Sequence, residues 1–521
     1  MKNITLLKAK VGILAVSCLS ITALFACVDK DARSDLNPNL PTDQAQNGDF
    51  GDQGGGSEQG LNFPVFDDGV LAFPGGEGYG KNVTGARAGE GREIYHVTNL
   101  NDAGPGSFRD AVSKPWRIIV FDVSGVIKLS SNPIVLKSNQ TILGHTAPGD
   151  GIVLYNGRVS ASGAQNLIVR YLRIRMGAAY PSELDACGIA NGANMIFDHC
   201  SMTWGKDECF SINPDGKGTA PKNITIQNSI IGQGLQNHSC GGLMQTDISN
   251  GCTIFRNLYI DNKTRNPKVK GLNQFVNNVV YNWGSGAAYN MSGDSQGKSE
   301  TTIENNYFIV GPCHNWQNVA QPDGSIKTEY VPMNPARPFT GGNGNFNTYC
   351  KGNYYDNNKD GALDGVEITE TNWSQYCSGS PVFLEARSDL HPIIRSQKSA
   401  QEAYEWVVEK VGAYLPVRDE VDKYLMDELI SLGRKGTIIQ DERKAEQFPL
   451  GGPGTINAAQ KPLDSDNDGM PDAFEDAWGL DKYDSTDAVK EAKNGYLNIE
   501  NYALSLEYPD EYEYELNKNK Q

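Results

Sequence analysis

The feature that most constrains this chain is a repeat of short β-rich runs, each ending in a polar pair. From Arg117 onward, apolar runs alternate with turns, and several share one register. Residues 166–169 lead into Arg170 and Tyr171, 194–197 into Asp198 and His199, and 223–226 into Gln227 and Asn228. Residues 252–255 lead into Arg256 and Asn257, 274–276 into Asn277 and Asn278, and 302–304 into Asn305 and Asn306. Counted from Tyr171, the last members step by 28, 29, 29, 21 and 28 residues, room for one short strand pair and a loop each. A period in that range signals a solenoid or a propeller. The Asn-Gly and Asp-Gly turns that antiparallel hairpins need are mostly lacking between the runs. The pattern predicts an all-β fold, a right-handed parallel β-helix, with Asn228, Asn257, Asn278 and Asn306 stacked at one corner. Stacked amides hydrogen-bond along the axis, and Asn tolerates a left-handed bend.

The rest of the 521 residues divides around this solenoid. Lys2, Lys8 and Lys10 precede an apolar stretch over 11–26, the anatomy of an export leader. Residues 24–27, Leu-Phe-Ala-Cys, resemble a bacterial lipobox, which would lipidate Cys27 and place the protein at the outer membrane. An ordinary cleaved leader with an incidental Cys is the alternative. Residues 28–65 read as a flexible, Gly- and Asp-rich tether, 66–380 as the β-helix, 381–450 as a helical extension and 460–510 as a small calcium module. The formal charge is −17, and removing the leader with its three Lys leaves −20. Such a surface repels phosphate and argues against nucleic acid. Membrane contact is expected only through the anchor, and the protein is expected as a monomer. Eight Cys lie beyond the leader with no CxxC pair, so zinc is a poor reading and disulfide pairing stays open.

Four acids, Asp185, Asp198, Asp207 and Glu208, fall in consecutive coil segments near one face. Hard oxygens at several heights suit Ca²⁺, which takes about six to eight of them. Lys263, Arg265, Lys268 and Lys270 lie within eight residues of an otherwise acidic chain. Charge alone allows either a solvated basic loop or a site for an anion.

Several stretches resemble the pectate lyases of the parallel β-helix type. They are Ala-Phe-Pro-Gly-Gly-Glu-Gly-Tyr-Gly at 72–80, the run 97–112, Phe-Asp-His-Cys-Ser-Met-Thr-Trp-Gly-Lys-Asp-Glu at 197–208, and Arg-Asn-Pro-Lys-Val-Lys at 265–270. The resemblance spans roughly residues 70–440. It implies calcium ligation by Asp185 and Asp207. Ser211 stands where the family often has a further Asp, which leaves Glu208, water or substrate to complete the site. The Asp198–His199 pair would anchor the coil. Arg265 is implied as the proton abstractor and Lys270 as a clamp on substrate carboxylate, with Lys268 replacing an Arg. Lysine is a point charge, so bidentate recognition is lost at both clamp positions. Arginine is an unexpected base, with a pKa above about 12. His238, whose type titrates near about 6.5, is the rival base or a groove-shaping residue. The implied activity is calcium-dependent β-elimination of de-esterified homogalacturonan. Alternatives are a lyase for methylated pectin without calcium, a hydrolase with paired carboxylates, or a non-catalytic glycan-binding solenoid.

Two further stretches match the side-chain ligand spacing of an EF-hand loop. One places Asp464, Asp466, Asp468, Asp472 and Glu475 around Gly469; the other places Asp356, Asn358, Asp360, Asp364 and Glu367 around Gly361. The acidic run 481–487 lacks the Gly and reads as a solvated loop. Residues 399–432 show helical periodicity broken at Pro416, and 418–422 read as helix capping and packing.

Overall fold

From one coil to the next, each strand pairs in parallel with the same segment of its neighbour, until an antiparallel strand, Val366–Ile368, closes one sheet. In the computed structural model, residues 60–63, 69–130, 132–284, 288–291, 298–335 and 337–518 are described. The leader, Cys27 and the tether up to residue 59 lie outside them. Three sheets run along the axis, with eleven, ten and eight strands. Each turn of the solenoid therefore carries three strands, not the strand pair expected. The third is only about three residues long in most coils, as in Cys187–Ile189, Phe210–Ile212 and Lys268–Lys270, too short to show a periodicity.

Register explains the interior. Val169, Phe197, Ile226, Ile254, Phe275 and Ile303 are successive partners on the eleven-stranded sheet, and all are fully buried. Their neighbours Ile168, Ile196, Thr225, Thr253 and Gln274 alternate to the outside, as a pleated strand requires. That outer face is covered by the Gly-rich segment 72–86. Tyr79 N donates to Thr253 Oγ1 at 3.2 Å and Gly80 N to Thr225 Oγ1 at 2.8 Å. A Cβ on Gly80 would lie 2.5 Å from the Met195 carbonyl oxygen, so only glycine allows this approach.

The asparagine ladder exists at three of the four expected positions and continues to Asn353. Asn257 Nδ2 donates to Asn278 Oδ1 (3.1 Å), Asn278 Nδ2 to Asn306 Oδ1 (3.1 Å), and Asn306 Nδ2 to Asn353 Oδ1 (2.8 Å). Asn228 is not a member; its Nδ2 donates to Asp198 Oδ1 at 2.8 Å. The left-handed corner is the preceding residue in each coil: Tyr171, His199, Asn228, Arg256, Asn277 and Asn305, with φ between 49° and 57°. The bend and the ladder are thus separate positions, and the bend accepts Tyr, His and Arg.

Helices shield the remaining faces. Ala400–Lys410 and Glu420–Leu429 lay Tyr404, Val407, Leu425 and Leu429 over Leu258, Val279 and Tyr307 of the ten-stranded sheet. Asp419 caps the second helix, and with Asp422 it holds the fully buried Arg175 at 2.7 and 3.0 Å. Asp198 pairs with Arg170 at 2.8 Å, and Glu507 meets the same guanidinium at 2.7 Å. The C-terminal segment packs Phe474, Trp478 and Leu504 against Ile118, Leu143 and Ile168. Leu61, from the expected tether, is buried with them, and the helix Pro509–Lys518 carries the segment past residue 510. All eight described cysteines are buried and free. Among the described residues no helix is long and apolar enough to cross a membrane.

Two expectations follow. Asn278→Ala leaves buried donors and acceptors unmet above and below it. It is expected to cost about 3 kcal/mol in urea unfolding, and a loss below about 0.5 kcal/mol would show the ladder to be idle. Glu428 and Asp261 share a buried hydrogen bond. Burial lifts both carboxyls, with Asp261 reaching about 6 and Glu428 raised further by Asp261. Raised carboxyls stabilise the fold while protonated, and that contribution is lost as pH climbs through 6. Glu428→Gln should therefore raise the thermal midpoint at pH 8 more than at pH 5. The reverse order would exclude a shared proton.

Candidate active site

The turns that lead into the eight-stranded sheet stack the chemistry-bearing residues. Asp185 precedes Cys187–Ile189, Asp207 and Glu208 precede Phe210–Ile212, and Arg265 precedes Lys268–Lys270. Glu208 bridges in parallel to Cys240, and Cys240 to Thr264. Residues more than twenty positions apart thereby become vertical neighbours. Gly242 N donates to the Arg265 carbonyl at 2.7 Å, which fixes the Arg265 backbone in a left-handed conformation with φ 57°.

The side chains converge. Arg265 Nη1 forms a close ion pair with Glu208 Oε1 and lies 3.8 Å from Asp207 Oδ1. His238 Nδ1 is 3.3 Å from Asp207 Oδ1 and half exposed. Asp185 hydrogen-bonds Glu208 and faces Arg158 Nη2 at 3.8 Å. Lys268 and Lys270 alternate outward around buried Val269 on one strand. Asp198 is not on this face. It is fully buried with Arg170, Gln227 and Asn228, and His199 bonds the Gly412 carbonyl, so this pair ties coil to helix.

Electrostatics follow from burial and crowding. Burial, the hydrogen bond that the protonated Glu208 carboxyl donates to Asp185, and the charges of Asp185 and Asp207 push Glu208 up to about 8. Burial also lifts Asp185. Burial pulls the Arg265 guanidinium down, but Cys240, Glu208 and Asp207 outweigh it and lift it above ordinary arginine. As arranged, Arg265 is a firm cation neutralising the acids. Asp207, Glu208 and Cys240 hold potential ligand atoms within 4.8 Å of one another. Burial keeps the Cys240 thiol protonated, up to about 12, so the usable donors are carboxylate oxygens. That hard donor set fits calcium and does not fit zinc.

A family profile described as Pectate lyase matches residues 76–348. A protein of Aspergillus fumigatus named "Probable pectate lyase C" is 48% identical over 437 residues, covering 84% of this chain and 94% of that one. The chain belongs to the pectate lyase family. An Aspergillus flavus relative of the same name is 47% identical over 443 residues, covering 85% of this chain and 95% of its own. Among solved structures, the cedar pollen allergen Jun a 1 aligns with 92% of its chain and 64% of this one, at 16% identity and a TM-score of 0.43.

Two residues of this pectate lyase's site were missed in the sequence, Arg158 and Cys240. Arg158 lies 27 residues before Asp185, one coil period, and that spacing is the signal that would have found it. Ser211 is buried and accepts from Leu243 N at 3.1 Å, so it serves the coil and adds no donor to the acids. The 356–367 loop does not form a helix-flanked EF-hand. Asn353–Asp356 pairs antiparallel with Val366–Ile368, which puts Glu367 opposite Tyr354 on an exposed strand. Asn358 Nδ2 donates to Asp364 Oδ1 at 2.8 Å and Asp360 Oδ1 accepts from Ala362 N at 2.8 Å, so local bonds shape this turn. Asp356 keeps one buried oxygen unpartnered.

Proposed function

We propose that this enzyme cleaves de-esterified homogalacturonan by β-elimination in the groove lined by Asp185, Asp207, Glu208, Arg265, Lys268 and Lys270. The observation that carries the reading is the Arg265 guanidinium set against a convergent group of acids, Asp207 and Glu208, in an otherwise acidic protein. Asp185, Asp207 and Glu208 are the residues that would hold calcium. Calcium, when bound, would engage these acids and draw charge from the uronate carboxylate, which acidifies C5–H. Lys268 and Lys270 hold neighbouring uronate carboxylates in the groove. The charges of Lys263, Lys268 and Lys270 favour release of an Arg265 proton to solvent. The neutral guanidine then takes the C5 proton, and a C4=C5 double bond forms as the C4–O bond breaks. Solvent protonates the leaving O4, so no net water is consumed. His238, beside Asp207, orients that acid and shapes the groove.

Polygalacturonate should yield ultraviolet-absorbing, unsaturated product when calcium is titrated in, and a chelator should abolish it. New reducing ends without that absorbance would mean hydrolysis. Cleavage of highly esterified pectin without calcium would favour the other lyase reading. Arg265→Ala is expected to lower kcat by about 100-fold or more, and His238→Ala by less than about tenfold. The rate should keep rising above neutral pH. A plateau in the pH–rate profile that vanishes in His238→Ala would assign the base to the histidine.

The leader reading completes this proposal: residues 1–27 direct export, and Cys27 anchors the enzyme in the outer membrane. Cys27→Ser should then move it from the membrane to the soluble fraction of an expressing bacterium. An unchanged distribution would remove the anchor.

A further inference from the structure

The C-terminal module holds a second cluster of acids, and its membership differs from the sequence spacing. Asp464, Asp466 and Asp468 bring ligand oxygens within 4.8 Å of one another, and Asp468, Glu475 and Asp487 form a second such group. The two groups share Asp468. Asp487 comes from the acidic run expected to be solvated, yet it is only 4% exposed.

What marks this as more than an acidic cluster is unmet bonding. Glu475 is fully buried, and neither of its carboxylate oxygens has a partner. Asp466 Oδ2, Asp468 Oδ2 and Asp487 Oδ1 are also buried without partners. Buried unpaired carboxylates are costly, so this constellation calls for a counter-charge with several coordination positions. An all-oxygen donor set of this size matches calcium.

The loop is already shaped for it. Asp468 N donates to Asp464 Oδ1 at 3.2 Å, and Gly469 N to Asp464 Oδ2 at 3.2 Å. Gly469 turns at φ 93°. No helix enters the loop, so only the outgoing Asp472–Trp478 keeps the EF-hand arrangement. Asp472, the ninth position, is committed elsewhere. Its oxygens accept from Ser465 N at 2.7 Å and Ser465 Oγ at 2.8 Å.

We propose that Asp464, Asp466, Asp468, Glu475 and Asp487 form a calcium site, separate from the catalytic groove, with Asp487 in place of Asp472. The ion would clasp segment 464–475 to segment 481–490. Met470, Phe474 and Ala488 from these segments join Ile118, Val120 and Leu143 in one apolar cluster. A Cβ on Gly469 would touch Ile94, Val120 and Ile499 at 3.3 Å, which shows how closely the loop lies on the coil. Calcium here would hold the cover on the outer face of the eleven-stranded sheet and raise the resistance of the whole chain to unfolding.

The test is calorimetric titration of Ca²⁺ into the chelator-stripped full chain, in an Asp207→Asn background so that the groove does not contribute. Binding should persist in Asp472→Asn and weaken at least about tenfold in Asp487→Asn and Glu475→Gln. Retained affinity in Asp487→Asn, or its loss in Asp472→Asn, would overturn the assignment. Should either weakened variant fold poorly, a terbium soak of wild-type crystals decides. An anomalous peak among the five carboxylates supports the site, and a peak on Asp472 or no peak there removes it.

Discussion

Vertical hydrogen bonding between coils is the interaction on which everything else in this protein depends. Parallel strands stack about 4.8 Å apart, so any residue is placed by the residue one coil below it. That rule lines Val169, Phe197, Ile226 and Ile254 into an apolar column. It also sets Glu208 beside Cys240 and Cys240 beside Thr264. The catalytic candidates are thus ordinary turn positions that share an edge. Their precision comes from a rigid scaffold rather than from the loops that carry them.

A stacked coil leaves faces that must be covered. Two helices cover the ten-stranded sheet, and the Gly-rich segment and C-terminal module cover the eleven-stranded one. Apolar packing is joined by buried ion pairs. Arg175 is fully enclosed between Asp419 and Asp422, and Arg170 between Asp198 and Glu507. A buried guanidinium without its acids is strongly destabilising, so these pairs fix where each cover sits. The third sheet, carrying Lys268 and Lys270, keeps its charged side chains outward, where an anionic chain can reach them.

Much of this was legible because a solenoid writes its geometry into spacing. The runs ending at Asp198, Gln227 and Val276 are strand ends in the structure. The register slipped at Asn228, because Asn occupies both the bend and the ladder in some coils and only one of them in others. Asp198 was drawn to the acidic face by its proximity in sequence to Asp207. A strand and a corner separate the two, and they turn Asp198 toward Arg170. The run ending at Asp487 was read as a solvated loop because the burial of Asp487 depends on how this segment folds back, which no local pattern records. Loop spacing alone also overstated the 356–367 turn, where the next residues continue as strand.

The eight interior thiols have a bearing on biogenesis. Burial raises the thiols of Cys187, Cys200, Cys209 and Cys252 well above their ordinary range, so they present little thiolate to an oxidant. Oxidants would therefore meet these thiols only while the coils are unstacked, so the stacking that builds the solenoid also shields its cysteines.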